Sequence, residues 1–184
     1  MNFLVETQVA LGRHDEAIAA MRESIALCER TKNRWGMGTA YRYLGLATLA
    51  AGQPNEARAH LEKSLEIFGD AFKGWDIAQT MIYLGETHLR AGDDAQAKTT
   101  LLDSLRLARD IRSEPLILQS LAGLASLELR VNPAIAAGWL TLIISHPSAL
   151  YATKKRAREL MEGLSAQGES NQTLEQAVED ILRR

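Results

Sequence analysis

Residues 35–74 read WGMGTAYRYLGLATLAAGQPNEARAHLEKSLEIFGDAFKG, and this stretch recurs along the chain with a period of 40 residues. The shift places identical residues on one another: Trp35 and Trp75, Leu44 and Leu84, Gly45 and Gly85, Gly52 and Gly92, Ala57 and Ala97, Leu61 and Leu101. A partial copy precedes residues 35–74 (Gly12, Ala17, Met21, Ser24, Ile25), and a degenerate copy follows the two full copies (Leu124, Asn132, Ala137). A fixed period of this size is typical of stacked helical repeats.

Each copy contains the signals for two helices. In the copy quoted above, Gly52 predicts the end of a first helix that begins near Arg34, because glycine tolerates the left-handed backbone of a helix exit. Pro54 fits the first turn of a second helix, which we expect to end near Phe68. Small residues such as Gly45 and Ala57 indicate close packing of the two helices.

The repeats predict a single all-α domain over residues 1–184. Its parts are a partial repeat (1–32), two full repeats (33–73 and 74–113), a degenerate repeat (114–146) and C-terminal capping helices (147–184). We expect one helix at about 148–163, with Leu150 on its packed side. A polar linker at 163–171 separates it from the final helix. Thr173 and Gln176 form a capping-box pattern at the start of the final helix.

The start of the chain has too few residues for a complete first helix in this register. We expect the chain to be a piece of a longer protein, and a natural start with a short first helix is the alternative. Phe3, Leu4 and Val5 are then expected to leave apolar surface uncovered, and such surface favours weak self-association through the N-terminal end.

Composition and motifs argue against several classes of function. The net charge of −2 lacks the basic excess typical of nucleic-acid binders. The single cysteine, Cys28, and an N-terminus without signal-peptide features favour a cytoplasmic protein, and no apolar run reaches bilayer length. We find no phosphate-binding loop, no histidine at a metal-binding spacing and no nucleophile–base set. We therefore predict no enzyme activity, no metal and no cofactor.

The repeat pattern resembles the tetratricopeptide repeat. The residues that carry the resemblance are Tyr41, Leu44, Gly45, Ala57, Leu61 and Ser64 in one copy, and Met81, Leu84, Gly85, Ala97, Leu101 and Ser104 in the next. Met81 departs from the aromatic residue expected there, Thr48 and His88 stand where the family usually has tyrosine, and Ser64 and Ser104 replace alanine. The resemblance implies a right-handed α-solenoid of helix pairs. Its 40-residue spacing resembles the long repeats of large bacterial regulators that carry ATPase, cyclase or LuxR- or SARP-type DNA-binding domains.

The resemblance also implies a binding groove on the first helix of each pair, where such arrays take peptides or extended segments. Counted from the Leu-Gly pairs, the predicted groove residues are Arg42, Tyr43, Leu46, Gln79, Tyr83, Glu86, Arg90, Gln119, Ser126 and Arg130. Tyrosine and arginine are enriched at binding hot spots. The three arginines would suit an acidic or carboxylate-bearing partner. The alternative is that these residues are merely exposed positions of a solenoid.

Two functions remain open from the sequence. The first is a protein–protein interaction module, a scaffold or sensor segment of a larger bacterial regulator, whose partner is a protein or peptide segment that includes other domains of the parent protein. The second is an effector domain of a transcriptional regulator, with a small molecule held in the groove by Arg42, Gln79 and Arg90. Neither reading predicts direct contact with nucleic acid or with a membrane.

Overall fold

The computed structural model describes residues 2–69, 74–162 and 172–183, with side chains from Val5 onward. Every regular element in these ranges is helical: α1 (Asn2–Ala10), α2 (His14–Arg30), α3 (Arg34–Ala50), α4 (Pro54–Phe68), α5 (Trp75–Ala91), α6 (Asp94–Asp110), α7 (Glu114–Glu128), α8 (Pro133–Ser145), α9 (Tyr151–Glu162) and α10 (Leu174–Arg183). The prediction of an all-α fold built from helix pairs, as in an α-solenoid, is confirmed.

Contacts divide the chain into two units, Met1–Ala97 and Lys98–Arg184, and the boundary falls within the first turn of α6. In unit 1, α1 to α4 each pack against the next helix in the chain, and α3 also contacts α1 and α5. In unit 2, α7, α8 and α9 pack against one another. The sequence predicted one domain with repeat boundaries at 33, 74 and 114, and that subdivision stays a prediction.

The turn glycines behave as the sequence predicts. Gly12, Gly52 and Gly92 have φ of 74°, 80° and 80°, the left-handed conformation that follows a helix exit. Gly45 is small because a Cβ built on it would lie 2.6 Å from Leu61 Cγ, which leaves no room for a larger side chain between α3 and α4. The crossing of the two helices therefore depends on the absence of a side chain at this position.

The serines that replace the family's alanine have buried partners. Ser64 donates a hydrogen bond to the carbonyl oxygen of Gly38 at 2.8 Å, which ties α4 to α3. In unit 2, the hydroxyl groups of Ser104 and Ser120 lie 2.9 Å apart and join α6 to α7. Both replacements thus satisfy their polar atoms inside the core instead of leaving them unpaired.

Two expectations at the ends of the chain are corrected. Val5 is fully buried rather than exposed, because it packs into a cluster with residues of α2 and α3 that include Tyr43 and Leu44. Phe3 and Leu4 lie outside the described side chains. Leu150 is half exposed rather than packed, because it precedes α9 and the neighbouring Ala149 takes the buried place.

The capping box at the final helix is confirmed. The backbone N–H of Thr173 donates to Gln176 Oε1 at 2.9 Å, and the N–H of Gln176 donates to Thr173 Oγ1 at 3.2 Å. This reciprocal pair satisfies two amides that the first turn of α10 leaves without a helical partner. The predicted linker at 163–171 lies outside the described residues.

Candidate binding surface

Arg42, which the sequence placed in an open groove, lies inside unit 1. Only 1% of its side chain is exposed. Its Nη1 donates to Asp76 Oδ1 at 2.8 Å and to the carbonyl oxygen of Asp76 at 3.2 Å. The guanidinium of α3 is therefore bound to the first turn of α5.

Aromatic rings complete the surroundings of this guanidinium. Its Cζ lies 5.3 Å from the ring centroid of Tyr43, 5.7 Å from that of Phe68 and 5.4 Å from that of Trp75, distances at which a cation is attracted to the ring faces. The same carboxylate of Asp76 accepts a hydrogen bond from Trp35 Nε1 at 2.9 Å. Asp76 neutralises the charge of Arg42, so this arginine is not available to an acidic partner in the described conformation.

Tyr43 and Gln79 are buried as well. Tyr43 belongs to the core cluster of unit 1, and burial raises the pKa of its phenol, with a smaller opposing effect of Arg42. Gln79 lies in the interior of α5. Three of the ten predicted groove residues therefore contribute to packing between helices rather than to an accessible surface.

The remaining predicted residues of unit 1 are accessible. Leu46, Tyr83 and Glu86 are partly exposed and Arg90 is exposed. Tyr83, Glu86 and Arg90 follow one another at intervals of three and four residues, so they share one face of α5. Leu46 lies on α3, which contacts α5. Arg90 Nη1 also donates to the carbonyl oxygen of Leu49, near the end of α3, at 3.1 Å.

Glu6 on α1 joins these residues, and the sequence reasoning missed it. Burial raises the pKa of its carboxyl, while nearby Arg42 lowers it. Burial also raises the pKa of Tyr83, and the next contributions come from Glu6 and Tyr43. Glu6 therefore lies within electrostatic range of Tyr43 and Tyr83. The signal that could have found it is the 40-residue register, since Glu6, Leu46 and Glu86 occupy equivalent positions.

We call this set of residues the A-helix face, because all of them lie on the first helix of a pair. It consists of Glu6, Leu46, Tyr83, Glu86 and Arg90. The face combines an apolar side chain, an aromatic ring and groups of both charges. Such a mixture can contact an extended polypeptide through both its side chains and its backbone.

The predicted groove residues of unit 2 lie on and just after α7. Gln119 and Ser126 are partly exposed, and Arg130 is exposed. Ser126 Oγ donates to the carbonyl oxygen of Ala122 at 3.1 Å and accepts a hydrogen bond from Arg156 Nη2 of α9 at 3.5 Å. Helix α9 thus covers part of α7 at Ser126, and this residue serves the packing of unit 2.

The described residues offer little for other kinds of site. They hold no group of three or more histidine, cysteine, aspartate or glutamate side chains that could bind a metal ion. None of the helices placed by the structure is both long enough and apolar enough to cross a membrane.

The first part of the chain matches the model of a known repeat family. Residues 1–70 of the chain, which include α1 to α4, match the model described as tetratricopeptide repeat. Comparisons with curated proteins and with solved structures gave no match. Residues 1–70 are thus similar to the tetratricopeptide repeat, a type that typically forms non-catalytic protein–protein interaction modules.

Proposed function

We propose that this protein is a non-enzymatic interaction module that holds an extended segment of a partner protein against the A-helix face. The observation that carries the proposal is the partly exposed Tyr83, which shares a face of α5 with Glu86 and Arg90, on a helix that contacts α3. Tyrosine offers a wide contact area at low entropic cost.

The charge of the partner follows from which groups remain accessible. The sequence predicted an acidic partner bound by three arginines. Asp76 already neutralises one of them, Arg42, so it is not available to such a partner. The A-helix face contains two acidic residues, Glu6 and Glu86, which favours a segment that carries basic as well as apolar side chains. Arg90 remains exposed for a backbone carbonyl or a carboxylate of the same segment.

A small-molecule effector in this groove has less support. Of the donors that such a ligand would use, Arg42 and Gln79 are buried and only Arg90 is exposed. A small polar ligand needs several convergent polar groups, whereas a polypeptide gains affinity from wide contact with side chains such as Leu46 and Tyr83. The accessible residues therefore favour a protein segment.

We further propose that the module is a scaffold or sensor segment of a larger cytoplasmic regulator of bacterial transcription. The support is the resemblance of the 40-residue repeats to those of regulators with ATPase, cyclase or DNA-binding domains. The genomic reading frame around the coding sequence tests this directly. A frame that encodes none of these domains on either side would contradict the proposal.

Weak self-association through the N-terminal end is a further part of the proposal. Leu11 in the turn after α1 and Leu27 on α2 are both exposed and apolar, which supports contact between copies. Light scattering of the wild type and of a Leu11→Ser, Leu27→Ser variant tests it. Equal apparent masses across a wide concentration range would contradict it.

The binding surface is tested with a displayed library of random peptides, from which binders of the wild-type chain are selected. Tyr83→Ala should weaken binding of the selected peptide by at least about 1 kcal/mol, which is about fivefold. Leu46→Ala should weaken it in the same direction. Circular dichroism would establish that both variants keep the wild-type helix content.

Two matched control variants change residues that are not part of the A-helix face. Tyr151→Ala removes a tyrosine that is 79% exposed in unit 2, and Arg58→Ala removes an exposed arginine on α4. Both variants should bind the peptide as the wild type does. Loss of binding in the controls, with retention in Tyr83→Ala and Leu46→Ala, would place the functional surface elsewhere. Failure to select any peptide would contradict recognition of an extended segment.

A further inference from the structure

Unit 2 contains a cleft of about 600 Å³ that no predicted groove residue lines. It lies between the end of α6, the start of α7 and one face of α10. The residues that matter here are Arg109, Arg112, Ile117, Leu174, Glu175 and Val178. The volume falls in the range of about 300–1,000 Å³ that is typical of small-molecule sites.

The floor of the cleft is apolar, and charged side chains of both signs line its walls. Ile117 and Val178 are buried side chains that border the cleft, and Leu174 beside them is partly buried. Arg112 and Glu114 are exposed on the wall formed by the turn between α6 and α7 and the start of α7, and Glu175 is exposed on the α10 wall. A molecule inside the cleft therefore meets hydrocarbon below and a charge of each sign at its sides.

The charges of the two walls do not neutralise each other. Arg109 pairs with Asp110 on its own helix at 3.0 Å, and Glu179 of the other wall pairs with Arg183 on α10 at 3.0 Å. Within the described parts of unit 2, no ion pair joins the two walls. Arg112 and Glu175 consequently remain able to bind groups of opposite charge.

We propose that this cleft binds a small zwitterion with an apolar body, of which an apolar α-amino acid is the simplest example. The carboxylate binds the guanidinium of Arg112, the ammonium group binds the carboxylate of Glu175, and the apolar body covers Ile117 and Val178. An apolar dipeptide presents the same groups at a larger separation. The site shares no residue with the A-helix face, so this proposal does not depend on the proposed interaction function.

The backbone conformation of Arg112 allows its side chain to be removed without disturbing the turn. Its φ is 55°, in the left-handed region that favours glycine. Its N–H donates to the carbonyl oxygen of Arg109, and the N–H of Ser113 donates to that of Ala108, both at 2.9 Å, as in a Schellman turn. Arg112→Gly should therefore preserve the turn and the stability of unit 2 while it removes the guanidinium from the cleft.

Lys32 is the matched control, because it repeats this geometry in unit 1. Its φ is 53°, its N–H donates to the carbonyl oxygen of Glu29 at 3.2 Å, and the N–H of Asn33 donates to that of Cys28 at 2.9 Å. Lys32→Gly makes the same backbone change and also removes one positive charge, but it leaves the cleft intact. Glu162→Gln on α9 is a corresponding control for Glu175→Gln, since both glutamates are exposed.

The experiment is isothermal titration calorimetry of the full chain with L-leucine and, in a second arm, with L-leucyl-L-leucine. We expect saturable binding of at least one of them, and the tighter ligand identifies a free amino acid or a dipeptide as the preferred size. Arg112→Gly and Glu175→Gln should each weaken binding at least tenfold, while Lys32→Gly and Glu162→Gln should leave it unchanged. Leucinamide and N-acetyl-leucine, which lack the carboxylate and the ammonium group, should bind at least tenfold more weakly than leucine.

Three results would overturn the proposal. The first is the absence of binding of either ligand at millimolar concentration. The second is wild-type affinity in both Arg112→Gly and Glu175→Gln. The third is equal affinity for leucine, leucinamide and N-acetyl-leucine, which would mean that the charged groups of the ligand are not recognised.

Discussion

Helices α3 and α5 occupy equivalent places in successive repeats, yet they bury different chemistry. Each has 17 residues, and both carry a Leu-Gly pair at the same register. Arg42 of α3 and Ile82 of α5 are equivalent positions, and each is 1% exposed. Asp76 and three aromatic rings make burial of the arginine tolerable, whereas the isoleucine needs no such partners. The repeat register thus determines that a position is buried, and its neighbours determine which side chain can occupy it.

The same two helices also differ in exposure or in side-chain chemistry at two further pairs of equivalent positions. Tyr43 is buried, but Tyr83 is partly exposed. Thr48 is buried and bonds to the carbonyl oxygens of its own helix, while His88 is buried with a lowered pKa. Helix α3 is enclosed because α1, α2, α4 and α5 all contact it. These four neighbours account for the burial of Tyr43 on α3.

The largest expected effect comes from removing the partner of the buried arginine. Asp76→Ala should lower the free energy of unfolding by about 3–5 kcal/mol, because it leaves the charge of Arg42 buried without a counter-ion. Arg42→Ile, which gives α3 the residue of α5, should cost much less, since the carboxylate left behind keeps its bond to Trp35. Urea denaturation measures both. An equal or larger loss of unfolding free energy in Arg42→Ile would contradict the claim that Asp76 is needed to compensate the buried charge of Arg42.

The next effect tests whether the register alone predicts packing. Leu44 and Leu84 are both buried, so Leu44→Ala and Leu84→Ala should each cost about 2–5 kcal/mol in unfolding free energy. Because the two positions are equivalent, the two losses should be similar. Denaturation under identical conditions provides the values. A wild-type midpoint for either variant would show that its leucine does not contribute to the core.

The smallest effect concerns pH and the pair Thr48 and His88. Burial is the main cause of the lowered pKa of His88; Arg58 lowers it further, while Asp93 and Glu62 oppose the shift. The unfolded chain therefore binds a proton at this residue more readily than the folded chain does. The stability associated with neutral His88 is complete above pH 6.5, the ordinary pKa, and is lost as pH falls through 6.5 and then through the lower folded pKa.

His88→Thr, which gives α5 the residue of α3, should remove this part of the pH dependence. Unfolding free energies of wild type and variant, measured between pH 8 and pH 5, should differ in slope below pH 6.5. His14, His60 and His146 are present in both proteins, so their contributions cancel in the difference. Parallel curves would indicate that His88 has the same pKa in the folded and unfolded chain.

Local signals in the sequence were sufficient for the helices themselves. Helix α4 begins and ends where Pro54 and Phe68 predicted, and α3 ends two residues before Gly52. Gly52 has the left-handed backbone that its position before Pro54 implied. These features depend on residues within one or two turns of one another, and the 40-residue period repeats them along the chain. Helix ends, turn glycines and close crossings could therefore be inferred without any tertiary contact.

Side-chain exposure required the tertiary structure. Arg42 was expected in an open groove, but Asp76 binds it from 34 positions further along the chain. Glu6 joins the A-helix face through α1, and the cleft of unit 2 brings α10 beside the turn between α6 and α7. Helical periodicity identifies which residues share a face of one helix. It does not specify which other helices cover that face, because burial and electrostatic partners are set by residues that are distant in sequence and meet only in the folded chain.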